Sequence, residues 1–147
     1  MGDILLQTPG AIVQPGHAGN GTGIINARNF SMIPGSNLSI RLGGPDPAGN
    51  GSHGYDQLRA SGQFSLYGNL QVSLVGGYRP KPGEIYYIMT SGSHAPVLGR
   101  FFNIVANEFT VAGHRFRISY TADSGRNDPD SASGHDIALI AMSGGVR

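Results

Sequence analysis

The chain has 147 residues, no cysteine, 24 glycines and 9 prolines, and its 10 lysines and arginines against 9 acidic residues give a formal net charge of +1. That is one domain's worth of chain, long enough to bury a core without staples. The lack of cysteine excludes disulfides and thiolate metal sites. The scattered basic residues (Arg100, Arg115, Arg117 and Arg126 lie apart, and only Arg79 and Lys81 sit close together) exclude the concentrated basic face of a nucleic-acid binder.

The glycine and proline content leaves little room for long helices, and no Gly-X-Y period runs through the chain to suggest collagen. No apolar stretch approaches the length of a membrane span. Ile4-Leu5-Leu6 is too short for a signal-peptide core and lacks a basic flank. The chain is therefore expected to be soluble, and mature, trimmed or excised from something larger.

Apolar residues do not recur at helical spacing, so the pattern predicts strands throughout. In chain order these fall at residues 4–7, 11–14, 23–27, 30–33, 37–42, 57–60, 63–67, 69–75, 85–90, 99–104, 108–111, 115–121 and 136–142. The centre of the chain carries the clearest alternation. Leu58, Ala60, Phe64, Leu66, Leu70, Val72 and Leu74 point one way, and Gln57, Arg59, Gln63, Ser65, Gln71 and Ser73 the other. Gly62 and Gly68 fall between these runs, where a sharp bend needs a residue without a Cβ. Pro34-Gly35, Gly43-Gly44-Pro45, Pro82-Gly83 and Ala112-Gly113 supply further turns. Two polar loops are longer, at residues 43–54 and 122–135. The last strand is apolar on both faces through Ile137, Leu139 and Ala141 and through Ala138, Ile140 and Met142, which places it centrally. The expected fold is all-β, with short glycine-punctuated strands in a β-solenoid-like or β-sandwich architecture. Residues 1–9 form an N-terminal segment and residues 10–147 a single domain.

Several runs together resemble a known repeat. They are Gly21-Thr22-Gly23-Ile24, residues 34–43, the Tyr55-Asp56-Gln57-Leu58 run continuing to Leu74, residues 77–88, Gly99 to Phe101, and Phe116 to Thr121. In this order they resemble the autotransporter-associated β-strand repeats and related β-helical passenger regions of large bacterial surface proteins. The resemblance spans about Gly10 to Ile140 and implies a structural role at the cell surface or outside the cell. The compact ending of the family is here spread from Ser124-Gly125-Arg126-Asn127-Asp128 to Asp136-Ile137-Ala138-Leu139, and that insertion is a candidate contact surface.

Candidate chemistry is sparse. His17, His53, His94, His114 and His135 show no metal-ligand spacing and read as solvated loop histidines. Asp123, Asn127, Asp128, Asp130 and Asp136 would suit calcium, but they lack the EF-hand pattern and read first as turn residues bonding their own backbone. No cofactor is expected. Asp46, Asp56, Glu84, Glu108 and Asp128 are too dispersed to define a hydrolytic pair, and Asp56 reads as a brace beside Tyr55. Ser124-Gly125 and Ser143-Gly144 lack a nucleophile elbow, and no helix follows Gly19, Gly21 and Gly23 to hold a phosphate. Tyr55, Tyr67, Tyr78, Tyr86, Tyr87 and Tyr120 read as packing residues with polar tips, with a sugar-binding face as the alternative. Asn20, Asn29, Asn37 and Asn50 open glycosylation triplets that matter only in a eukaryotic secretory route.

The expected function is a non-enzymatic, extracellular or cell-surface structural module whose partners are copies of itself. Ile4, Leu5 and Leu6 form an apolar run set apart by Pro9-Gly10, and are the candidate self-association strand, added to an open sheet edge of a neighbour; head-to-tail addition that does not close would give a filament. Pairing within its own chain is the alternative. A carbohydrate-binding adhesin domain, or a phage-type spike or capsid-decoration protein, is the second reading, and a polysaccharide-degrading enzyme the third.

Overall fold

The computed structural model describes residues 2–15, 22–47, 54–93, 95–131 and 134–143. The described chain is all-β, with one short 3₁₀ turn at Ser124–Arg126. Ile4–Leu6 (β1), Ile12–Val13 (β2) and Ile24–Ala27 (β3) form a first circuit. Phe30–Met32 (β4), Asn37–Leu42 (β5) and Gln57–Ala60 (β6) form a second. Phe64–Leu66 (β7), Asn69–Leu74 (β8) and Ile85–Ser91 (β9) form a third, and Leu98–Gly99 (β10) begins a fourth.

Corresponding strands of successive circuits pair in parallel, as β1-β4-β7-β10, β2-β5-β8 and β3-β6-β9. This is a three-faced parallel β-solenoid. Glu108–Val111 (β11), His114–Ala122 (β12) and Asp136–Ala141 (β13) then extend the third face with antiparallel strands, in the order β11-β12-β13-β9-β6-β3. Among the described residues no helix is long and apolar enough to cross a membrane.

The alternation read in the sequence becomes inside and outside of the coil. Leu58, Ala60, Phe64, Leu66 and Leu70 are buried, while Val72 and Leu74 are half-buried near the end of the stack. Like residues stack from circuit to circuit: Phe30 lies in register with Ile4 on one side and Phe64 on the other, with the two rings edge to face at 6.5 Å. β13 lies between β12 and β9, with Ile137, Ala138 and Leu139 all fully buried. A strand with neighbours on both edges and cover on both faces needs apolar residues at every position. Gln57 departs from its expected outward, solvated place. It is buried, and its Nε2 donates to the Tyr87 carbonyl at 2.7 Å.

The strand expected over 99–104 stops at Gly99. Its φ of +78° leaves the extended region, and a Cβ there would overlap the Leu66 carbonyl. Phe101 then turns into the core and Phe102 stays outside.

Gly68 is needed for a different reason from the bend inferred above. Its φ is not positive. It sits against the corner of the preceding circuit, where a Cβ would fall 2.5 Å from the Ser36 carbonyl and 2.8 Å from Met32 Cε. The Gly68→Ala variant should therefore lose about 1–3 kcal/mol in urea denaturation, as expected of overpacking. Gly2→Ala, which meets nothing within 4 Å, should stay within about 0.5 kcal/mol of the parent.

Candidate functional site

The two ends of the coil are built differently, and the difference begins with a buried ion pair. Asp56, just before β6, is wholly buried, as is most of Arg41 on β5. Asp56 Oδ1 accepts the Gly23 amide at 2.8 Å, and Oδ2 accepts the Arg41 amide at 2.8 Å and Arg41 Nε at 3.1 Å. Arg41 Nη2 donates to the Pro15 carbonyl at 2.9 Å. One carboxylate thus ties the entry of β3 to the second circuit, and one guanidinium ties in the chain beyond β2. Burial pushes the Asp56 carboxyl up from its ordinary value, against the pull of the two amides and the guanidinium. The sequence suggests that Asp56 caps or braces a turn beside Tyr55; its carboxylate instead joins the first and second circuits.

The last circuit covers its edges in part. The Leu70 amide donates to Asn103 Oδ1 at 2.9 Å, and Asn103 Nδ2 donates back to the Leu70 carbonyl at 2.7 Å. The side-chain amide stands in for a neighbouring strand at that one residue. Ile104 and the β11–β12 hairpin, through Phe109 and Val111, are partly buried against the core and face Leu70 and Val72 across a cleft of about 190 Å³. β10 ends at the left-handed Gly99. β11 itself is a free edge, guarded by the Arg115–Glu108 ion pair at 2.6 Å.

The first circuit carries no comparable closure among the described residues: β1, β2 and β3 are the outermost strands of all three faces. Ile4 N donates to Asn29 O and Ile33 N to Leu6 O, so alternation in the ladder turns the N–H and C=O of Leu5 outward. By the same reasoning Asn37 N on Ala11 O turns Ile12 outward, and Gln57 N on Gly23 O with Ser61 N on Ala27 O turns Ile24 and Asn26 outward. The side chains of Leu5 and Ile12 are 51% and 61% exposed. Of the candidate self-association residues, Leu6 is buried, Ile4 is half-buried against the core, and Leu5 alone faces solvent. β1 itself pairs with β4 of the same chain, so its outer edge is what remains for a partner.

Several clefts lie away from this end. A polar cleft of about 410 Å³ lies between Asp46, Arg59, Thr90 and Asn127, with Asp46 as the one acidic side chain lining it. A larger, less polar groove of about 580 Å³ runs along Tyr67, Val97, Arg100, Phe102 and Tyr120. Tyr67 and Phe102 are 42% and 55% exposed and meet edge on at 6.2 Å, and the Arg100 guanidinium lies 5.0 Å from the Tyr120 ring centre. Tyr55, Tyr86 and Tyr87 are buried, so of the six tyrosines Tyr67 is the one most open to a ligand.

The oxygen-rich loop spends its side chains on its own chain. Asp123 Oδ1 caps the 3₁₀ turn through Gly125 N, Asp128 Oδ1 accepts Asp130 N, and Asn127 Oδ1 accepts the Tyr87 hydroxyl. Asp130 pairs bidentately with Arg117 at 2.7 and 2.9 Å, which holds its carboxyl below the ordinary value. Asp136 is buried and accepts Ser91 N and Ser124 N, with His135 Nδ1 at 3.1 Å. His135 is thus buried rather than solvated, and His114 is half-buried. Among the described residues, no three acidic or histidine side chains converge on a metal-sized site. His17, His53, His94, Gly19, Gly21, Gly144, Asn20 and Asn50 lie outside the described residues. The amides of Asn29 and Asn37 are engaged between circuits, with Gln63 N and with Gln71.

The remaining carboxylates are also placed apart. Glu84 Oε1 accepts the Tyr78 hydroxyl at 2.6 Å, the Tyr86 hydroxyl at 2.8 Å and the Lys81 amide at 2.9 Å. Burial raises Tyr78 to about 12 and pushes Tyr86 up as well, so both phenols stay protonated as donors. Burial pushes the Glu84 carboxyl up too, but these hydrogen bonds together outweigh it and hold Glu84 below its ordinary value.

Compared with protein-family models, curated proteins and solved structures, the chain matches none.

Two outcomes follow. Replacing Arg41 with methionine leaves Asp56 buried without its counter-ion, and should cost about 3–5 kcal/mol in chemical denaturation. Glu84 has a folded pKa below its unfolded one, so its contribution is complete above the ordinary carboxylate range and fades as pH falls through the lowered value. In melts taken between about pH 6 and pH 3, the stability gap between the parent and Glu84→Gln should therefore narrow toward the acid end.

Proposed function

We propose that this protein is a non-enzymatic structural β-solenoid module, acting outside the cell or at its surface, that associates with copies of itself through the strand edges of its first circuit. The observation that carries the reading is the asymmetry of the coil. One end is obstructed, by Asn103 at Leu70 and by the β11–β12 hairpin, while at the other the outward N–H and C=O groups of Leu5, Ile12, Ile24 and Asn26 have no strand beside them among the described residues. Unpaired edges on an apolar rim are a ready template for another chain. The resemblance to autotransporter-associated repeats supports the surface setting. The buried carboxylates Asp56 and Asp136 are engaged by backbone amides and basic side chains, which suits bracing better than proton transfer.

Sedimentation velocity on the full chain across about 1–100 µM tests the proposal. The parent should sediment as an oligomer whose share rises with concentration, and Leu5→Lys should be monomeric with an unchanged far-UV spectrum. A parent that is monomeric throughout would refute it. Substitution is preferable to deleting the residues before Thr8, because deletion removes β1 and uncovers β4 as a fresh edge.

The Tyr67–Phe102 groove favours a second reading, a carbohydrate-binding module. Exposed aromatic faces beside Arg100 offer both stacking and hydrogen bonding to a sugar. On a glycan array the parent should bind specific glycans, and Phe102→Ala or Tyr67→Ala should abolish that signal. An array on which the parent and both variants look alike would exclude it.

A further inference from the structure

We infer that two copies meet open end to open end across a two-fold axis through Leu5, giving a closed dimer rather than a head-to-tail filament. This rests on the self-association proposed above. In a filament the first circuit of one copy would have to sit on the last circuit of the next. That surface is largely obstructed: Asn103 occupies the Leu70 amide and carbonyl, the hairpin stands over Leu70 and Val72 across a cleft of about 190 Å³, and β10 ends after two residues at a left-handed glycine. Among the described residues, the one surface that offers free edges on all three faces is the first circuit itself. The matching partner is therefore a second copy of the same surface, the isologous arrangement.

The geometry of a three-faced coil allows this. A two-fold axis in the plane of the first circuit, passing through the middle of one face, maps that face onto itself reversed and exchanges the other two. Every strand then meets its mate antiparallel. β1 is centred on Leu5, whose N–H and C=O point outward, so two β1 strands form a hydrogen-bonded pair with Leu5 opposite Leu5 at a Cα separation of about 5.5 Å. In that register Asp3 faces Gln7 of the second copy, which avoids a pair of like charges. β2 of each copy meets β3 of the other, bringing the exposed Ile12 toward Ile24 and Asn26.

The chain has no cysteine, so single cysteines report the contact without background. The Leu5→Cys protein should oxidise to a disulfide-linked dimer, since that Cα spacing lies within disulfide range. Leu98→Cys, at the opposite end, should not, and a mixture of the two variants should give no cross-linked pair joining position 5 to position 98. Leu5→Pro removes an N–H that the chain's own ladder does not use, so it should raise the dimer dissociation constant at least tenfold while keeping the parent spectrum and melting point. Links between positions 5 and 98, or growth beyond two copies, would overturn the two-fold arrangement and leave self-association standing. A parent that is monomeric at every concentration would overturn both. If Leu5→Pro fails to fold, the cysteine cross-links decide alone, and absence of the Leu5→Cys dimer from an associating parent overturns the arrangement.

Discussion

In a parallel solenoid, each circuit depends on its neighbours for its backbone hydrogen bonds. A strand in the middle of a face uses alternate residues to bond the circuit before and the circuit after. The terminal circuits have one neighbour each, so half of their polar backbone must be met by something other than the repeat. Here that constraint organises the molecule. The Arg41–Asp56 pair fixes how the first and second circuits join, the in-register stack of Phe30 and Phe64 fills the interior, and the ends are where the two solutions diverge.

The closing end shows how a chain stops a solenoid with few residues. A left-handed glycine ends one face, a single asparagine side chain takes the next strand's place at Leu70 on the second, and a switch from parallel to antiparallel pairing finishes the third. The insertion at residues 122–131 folds back on itself through Asp123, Asp128 and Asn127, and covers the outer face of β13 with Tyr87 and Ala122. The opening end has no such devices among its described residues, and that contrast is what gives the first circuit its functional reading.

Much of the fold was legible because short-range alternation is a direct record of inside and outside. The strands of β5, β6 and β11 fall where the pattern puts them, and the doubly apolar last strand is central. The choice between solenoid and sandwich was not legible, since both bury every second residue and differ only in which strands are neighbours. Gln57 reads as outward-facing because alternation does not see the Tyr87 carbonyl and the Arg59 guanidinium that its buried amide engages. The 99–104 segment read as a strand because Phe101 and Phe102 have strand composition, while the left-handed turn at Gly99 leaves no composition signal beyond the glycine. The candidate site was legible in part: the run Ile4-Leu5-Leu6 stands out, but only the register with β4 shows that Leu5 alone faces out in both side chain and backbone. The Asn103 closure and the burial of Arg41 depend on partners far along the chain and left no local signature.

The central claim is that the outward backbone of the first circuit is satisfied by a second copy. Amide hydrogen exchange followed residue by residue in solution tests it most directly. The account predicts that the Leu5, Ile12 and Ile24 amides are protected at high protein concentration and lose that protection on dilution, while the Leu70 amide, held by Asn103, keeps its protection throughout. Rapid exchange at Leu5, Ile12 and Ile24 at every concentration would contradict the account.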